Sequence, residues 1–384
     1  MNIERCLFVF AAAAAIAGCG SGTTVGNIGA GPGTVGTAAP GGSPKTTGPS
    51  SPPGATASPP AAGASATPTA AGGSPQAQAT GPALDVPAAT LAASLSCGAS
   101  IANATTTPVL LVPGTDLIPS VNFSWNYERA FTTDGIPWCA VTLPYSATGD
   151  IQTAGEYVVN AIRTMYASAG RKIDILGYSQ GGMVPRWALR WWPDTRGMVL
   201  SYVGLDPSNQ GTLDADAICV APCLPADWQQ ASTSKFIAAL NNPVETWAGI
   251  FYTVVYSYTD EVVVPNESVA SFSSLSTGAG TIANIAVQQI CPTDVSEHLA
   301  MGSYDPVGYA LAVDAFTHAN VASISRIPSS VCEELYQPGV DPSTFVQNYA
   351  AYVEQVGEAQ IGPPVGAPYV SAEPTLAPYA AASH

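Results

Sequence analysis

An α/β fold, with a mostly parallel central sheet and helices on both faces, is what this sequence predicts. Over residues 85–384, short apolar runs alternate with longer stretches whose apolar residues follow a helical stripe. A Gly-x-Ser-x-Gly turn sits between one such run and one such stripe. The first 84 residues show neither pattern. Strand–helix–strand alternation implies parallel strands joined by crossover helices.

The elements follow in chain order. Residues 1–18 read as a lipoprotein-type signal peptide, in which Arg5 precedes an apolar run from Leu7 to Gly18. That run is too short for a stable spanning helix. Ile16-Ala17-Gly18-Cys19 resembles a bacterial lipobox, which implies removal of the signal and lipidation of Cys19. Ala15-Ile16-Ala17 offers ordinary cleavage instead, and either route exports the protein. Residues 19–84 hold one charged residue, Lys45, and no aromatic residue. A Gly/Pro/Ala/Ser/Thr-rich segment of this kind cannot bury enough apolar surface to offset its ordering entropy, so it reads as a disordered tether.

Residues 85–384 are long enough for a substantial core. Pro108–Val112 and Cys139–Leu143 read as strands. Gly155–Ala169 carries Tyr157, Val158, Ala161, Ile162, Met165 and Tyr166 on one helical stripe, with Gly170 as its C-terminal cap. Ile173–Gly177 reads as a buried strand and Gly181–Trp192 as a helix, with Pro185 near its start. Met198–Leu205, Thr253–Ser257 and Ile282–Ile290 read as further strands. Asp305-Pro306 is a cap and first-turn pair opening another helical stripe.

Charge narrows the function. The chain has 11 Lys+Arg against 27 Asp+Glu, a net charge of -16. That opposes nucleic-acid binding, which needs a clustered basic surface. It also opposes docking on anionic lipid through a basic patch. Outside Cys6 and Cys19 there are six cysteines: Cys97, Cys139, Cys219, Cys223, Cys291 and Cys332. An even number in an exported domain suggests three disulfides, with fifteen pairings open from sequence alone. A zinc site is the rival, weakened by the lack of a CxxC pair and by too few histidines. No metal or cofactor is called for.

Gly177-Tyr178-Ser179-Gln180-Gly181 lies between a strand and a helix, the setting of the nucleophile elbow of α/β-hydrolases. Small residues are needed on both sides of so tight a turn, which presents the serine hydroxyl at the strand's carboxyl end. Serine needs a base, and the base an orienting carboxylate, in the chain order Ser, acid, His. Of the 3 His, His384 ends a Pro/Ala-rich tail and His318 falls at a helix C-terminus. His298, in a polar turn after a strand, is the candidate base. Asp260 follows the strand near Tyr258 and is the favoured acid. Asp206, at the end of an earlier strand, is its rival, and Glu261 is the other neighbour.

These pieces resemble the Candida antarctica lipase B-like family of α/β-hydrolase lipases over residues 90–380. The matching segments are PVLLVPGT (108–115), YSQGG (178–182), DWQQ (227–230), YTDEVVVP (258–265), the His298 turn and EPTLAPYA (373–380). The resemblance implies a catalytic triad of Ser179, Asp260 and His298. It implies an oxyanion hole of Thr115, through backbone N–H and hydroxyl, and the backbone N–H of Gln180. It implies the bridges Cys97–Cys139 and Cys291–Cys332, which leaves Cys219 and Cys223 to each other within the lid-like segment Leu213–Trp228. It also implies that the C-terminal tail, which composition alone reads as disordered, packs on the domain. Two residues depart from the family pattern. Asp116 stands where the family has a glycine, and a carboxylate there opposes developing negative charge unless it points away. Tyr178 stands where the family has tryptophan.

The expectation is therefore an exported hydrolase of carboxylic esters, with lipids such as acylglycerols as substrate. Short-chain esters or extracellular polyesters are the alternative within the same chemistry. The membrane would be met only through the N-terminal lipid. A non-catalytic surface lipoprotein is the remote alternative, and it predicts decay of the triad.

Overall fold

The apolar runs become strands in the computed structural model, which describes residues 79–381. Seven strands form one sheet: β1 (Leu95–Cys97), β2 (Val109–Val112), β3 (Trp138–Val141), β4 (Ile173–Tyr178), β5 (Val199–Leu205), β6 (Phe251–Tyr256) and β7 (Thr281–Ala286). Their order is β1-β3-β2-β4-β5-β6-β7. β1 pairs antiparallel with β3, and every other pairing is parallel. All residues of β2 and β4 are buried, which is why they read as unbroken apolar runs rather than alternating ones.

Helices cover both faces. The helices used below are α1 (Tyr127–Asp134), α2 (Ile151–Ala169), α3 (Gln180–Trp191), α4 (Leu213–Ile218), α5 (Pro306–His318) and α6 (Phe345–Gln360). Side chains of β2 alternate between two cores. Leu110 and Val112 pack with Val158, Ile162 and Met165 of α2 and Trp187 of α3. Val109 and Leu111 pack with Phe131 of α1, Leu311 of α5 and Tyr352 of α6. Gly170 and Asp305 are the caps the sequence calls for, and Asp150 adds one it does not. Asp150 accepts from the Gln152 N–H at the head of α2, and Gly170 ends it at φ 66°. Asp305 accepts from the Gly308 N–H at the head of α5.

Some expectations change. The run Ile282–Ile290 is not one strand: β7 ends at Ala286, and a 3-10 turn, Val287–Gln289, follows. The Gln289 side chain folds back onto the Ala286 N–H (2.9 Å), ending the ladder. Residues 79–84, placed in the tether by composition, are bonded to the domain. Ala79 O accepts from the Asp194 N–H (3.1 Å) and Pro82 O from the Trp192 indole (2.8 Å). These are backbone acceptors, which any residue supplies, so composition carries no trace of them. The tail does pack: Ala380 is fully buried, Tyr379 lies against Trp192, and the Ala377 N–H donates to Gln152 (2.7 Å). Among the described residues there are three disulfides, Cys97–Cys139, Cys219–Cys223 and Cys291–Cys332. The signal segment, Cys19 and His384 lie outside the described residues.

Candidate active site

Ser179 is the single residue between β4 and α3. Its backbone sits at φ 53°, ψ -126°, outside the regions a non-glycine residue prefers. Two glycines make the turn possible. A Cβ at Gly177 would collide with the Gly181 carbonyl, and one at Gly181 with the carbonyls of Val112 and Pro113. The serine is thereby held at the carboxyl end of β4, between β2 and β5, where ligands collect in open α/β sheets. It is 6% exposed, so a substrate must reach it within a pocket.

His298 reaches it from the segment that follows β7. It opens a single helical turn, His298–Met301, and is buried rather than placed in a surface turn. Its Nε2 lies 3.0 Å from Ser179 Oγ, and its Nδ1 lies 3.0 Å from Asp260 Oδ2. Asp260 stands in the loop after β6. Its Oδ1 accepts from the N–H groups of Val262 (2.8 Å) and Val263 (2.9 Å), and its Oδ2 from Asn266 Nδ2 (3.1 Å). Glu261 points elsewhere, accepting the backbone N–H of His298 (3.2 Å). Asp206, the rival acid, lies 4.0 Å from Nδ1 through its Oδ2. Burial disfavours a charged imidazole. The carboxylate of Asp260, with Glu261 and Glu297 beyond it, outweighs that and holds His298 above its ordinary value.

The carbonyl-side donors gather opposite. Thr115 follows β2 after Pro113-Gly114, and its Oγ1 accepts from Gln180 Nε2 (3.1 Å) and Gln230 Nε2 (3.0 Å). A hydroxyl has two acceptor sites and one proton. With both acceptor sites taken, the proton is left to point at a bound substrate. Gln180 heads α3, where a helix's first N–H groups have no partner within the helix. The Asp116 carboxyl turns to Gln360 of α6, whose Nε2 lies 2.9 and 3.1 Å from its oxygens. Burial and then the neighbouring Asp227 carboxyl push Asp116 well above the usual carboxylate range, against the pull of Gln360. Raised in this way and held by Gln360, the Asp116 carboxyl opposes an oxyanion less than a free carboxylate would. Tyr178 donates its hydroxyl to the His298 carbonyl (3.0 Å) and stacks obliquely on the imidazole, so it braces the base.

Three participants have no assigned role in the sequence reading. Gln230 and the Val262–Val263 amides were legible only as part of the DWQQ and YTDEVVVP segments, whereas Asn266 emerges only from the folded loop. Among the described residues, the group whose donor atoms cluster closely enough to hold a metal ion is Asp206, Asp260 and His298. Its atoms are those already engaged with Ser179, and they are not assigned to a metal. His318 bonds to Asp314 one turn back at the end of α5, as its helix-terminal position suggests.

No protein-family model matches the chain. Over 222 residues, 56% of this chain, the sequence is 34% identical to lipase B of Pseudozyma antarctica, formerly Candida antarctica. The match spans 64% of that relative's length, slightly less than two thirds. The crystal structure of Aspergillus fumigatus lipase B matches with a TM-score of 0.71 at 26% identity, covering 78% of this chain and 74% of that one. The fold and both comparisons agree: the chain has the α/β-hydrolase fold and is similar to the lipase B proteins of these two organisms.

Proposed function

We propose that this chain is an exported serine hydrolase that cleaves carboxylic esters, with acylglycerols as its substrate class. The observation that carries the reading is the hydrogen-bonded series from Ser179 through His298 to Asp260, with 3.0 Å at each step. Similarity to two proteins named lipase B supports it. The apolar side chains Leu213 and Ile218 of α4, with the adjoining Val220, are exposed, and α4 is tied to the acid loop by the Leu213 N–H to Val264 O bond. That surface suits an apolar acyl chain. Cys19 as lipid anchor and the residues between it and the domain-bonded segment 79–84 as tether complete the reading, and would hold the domain at the cell envelope.

The reaction follows from the groups in place. Ser179 Oγ attacks the ester carbonyl carbon while its proton passes to His298 Nε2. The carbonyl oxygen becomes an oxyanion that accepts from Thr115 and the Gln180 N–H. Asp260 stabilises the imidazolium and holds its tautomer. The tetrahedral intermediate expels the alkoxide, which takes the proton from Nε2, leaving an acyl-enzyme. Water then attacks the acyl carbonyl, giving its proton to His298, and Ser179 leaves with that proton as the carboxylic acid departs.

Hydrolysis of p-nitrophenyl esters from acetate to palmitate, by the parent and by Ser179→Ala, tests this. The expected result is activity in the parent, loss of at least about 10⁴-fold in the variant, and a maximum at long chains. A maximum at acetate or butyrate would make the enzyme an esterase or polyesterase. Absence of any ester hydrolysis in the oxidised protein, or its survival in Ser179→Ala, would overturn the assignment.

A further inference from the structure

A second carboxyl stands beside the imidazole. Asp206 directly follows β5, and its side chain is fully buried. Its Oδ1 accepts from the Ser257 N–H (2.8 Å), at the end of the adjacent β6. Its Oδ2 lies 4.0 Å from His298 Nδ1 and has no hydrogen-bond partner of fixed donor type. The ligand atoms of Asp206, Asp260 and His298 all lie within 4.8 Å of one another. The Asp206 backbone is held at φ 40°, a left-handed conformation that disfavours any residue with a Cβ. A buried oxygen without a donor and a strained backbone are both costs, and packing explains neither. An alanine would remove the first.

The chemistry of the pair gives the oxygen a use. Two carboxylates this close, both buried, cannot both stay ionised beside a neutral histidine. Asp260 accepts from three N–H groups and faces Nδ1. Asp206 accepts from one, so it keeps the proton, and its O–H has Asp260 as acceptor. Burial first, then Asp260 and Asp305, push Asp206 well above the carboxylate range, opposed only by the Ser257 N–H.

We propose that Asp206 is a second positioning carboxyl for His298, a proton-holding partner of Asp260 in the intact enzyme and the carboxylate that orients Nδ1 when Asp260 is lost. It does not touch substrate. It acts through Asp260 in the first state and directly on His298 in the second. This rests on the reading of Ser179 and His298 as nucleophile and base.

The test is a cycle of four full-length proteins: the parent, Asp206→Asn, Asp260→Ala and Asp206→Asn/Asp260→Ala. Asp260→Ala opens the space into which Asp206 can move, and Asp260→Asn serves as second acid variant where the alanine protein does not fold. Hydrolysis of p-nitrophenyl butyrate is read from pH 5 to 9. The expected result is non-additivity, with Asp206→Asn costing at least about 10-fold more kcat/KM in the Asp260→Ala background than in the parent. The acid limb of Asp260→Ala should also move to higher pH than the parent's, because its activity waits on ionisation of Asp206, which faces Asp305 and His298. Equal costs in both backgrounds with an unmoved acid limb would overturn the proposal. A low-field proton resonance from His298 Nδ1–H gives a readout that needs no catalysis. It should persist in Asp260→Ala and vanish in the double variant. Its absence from Asp260→Ala would overturn the proposal even if the parent proved inactive on every ester, a result that would separately end the hydrolase reading.

Discussion

Removing one oxygen at Thr115 separates binding from catalysis. The hydroxyl accepts from Gln180 and Gln230 and has its proton free for an oxyanion, which exists only in the transition state and the tetrahedral intermediates. Thr115→Val keeps the shape and the backbone N–H and deletes that donor. Its kcat should fall by about 10²-fold, with KM little changed, in steady-state hydrolysis of p-nitrophenyl butyrate. A raised KM at unchanged kcat would place the hydroxyl in ground-state binding instead. At this scale, the fold brings together the Ser179, Asp260 and His298 that the sequence singles out. Motif and chain order point to Ser179 and His298 near strand ends, whereas they leave the acid open between Asp260 and Asp206. The charge state of Asp116 was not legible. It depends on burial, on Asp227 and on Gln360, which stands 244 residues further along the chain. Nor was the true environment of Asp206: sequence marks it as a rival to Asp260, whereas the fold puts both carboxyls on one imidazole.

Elements were legible where their residues are buried on both sides. β2, β4 and β5 announce themselves as apolar runs, and α2 by its stripe and its Gly170 cap. β1 did not, because three residues at a sheet edge, partly exposed, are too few to show a period. What holds β1 is covalent as well as hydrogen-bonded. Cys97 and Cys139 face each other across the β1–β3 ladder and are joined. That bridge spans 42 residues, whereas Cys219–Cys223 spans 4. In the chain-entropy model the longer closure stabilises by about 4 kcal/mol and the shorter by about 2. Replacing each pair by alanine and measuring unfolding in urea should therefore give about twice the loss for Cys97/Cys139. Equal losses would mean that the short bridge acts on the folded state, through the Cys223–Val370 backbone pairing beside it.

For the whole molecule, composition gave the sign of the charge but not where the protons sit. Burial pushes Asp174, Asp227 and Asp305 up to about 7, and Asp116 and Asp206 well above the carboxylate range. Unfolded, these groups release their protons near pH 4. Between there and about pH 7 the folded protein binds more protons than the unfolded chain, so its stability falls as pH rises. His298, also raised, works in the same direction: its contribution is present below its unfolded value and is lost as pH rises through the folded one. Three carboxyls work oppositely, among them Asp341, which its hydrogen bonds from Ser343 hold below the ordinary range. Glu245 is lowered although burial opposes this, by the Ser276 and Thr277 N–H groups, Arg186 and Gln210, and Asp314 is lowered against its own burial by Arg326. Their contribution is present above their unfolded values and is lost only as pH falls below the ordinary carboxylate range, outside this window. The net charge of -16 adds self-repulsion at neutral pH. Calorimetry should thus give a higher Tm at pH 5 than at pH 8, and unfolding at pH 6 should release protons to the buffer. A Tm that rises from pH 5 to pH 8 would mean that these carboxyls ionise without penalty in the folded state. Catalysis requires the opposite side of the same titration, since His298 must be neutral to accept the serine proton. The conditions of greatest stability and of fastest turnover should therefore be separated in pH, stability lying on the acid side.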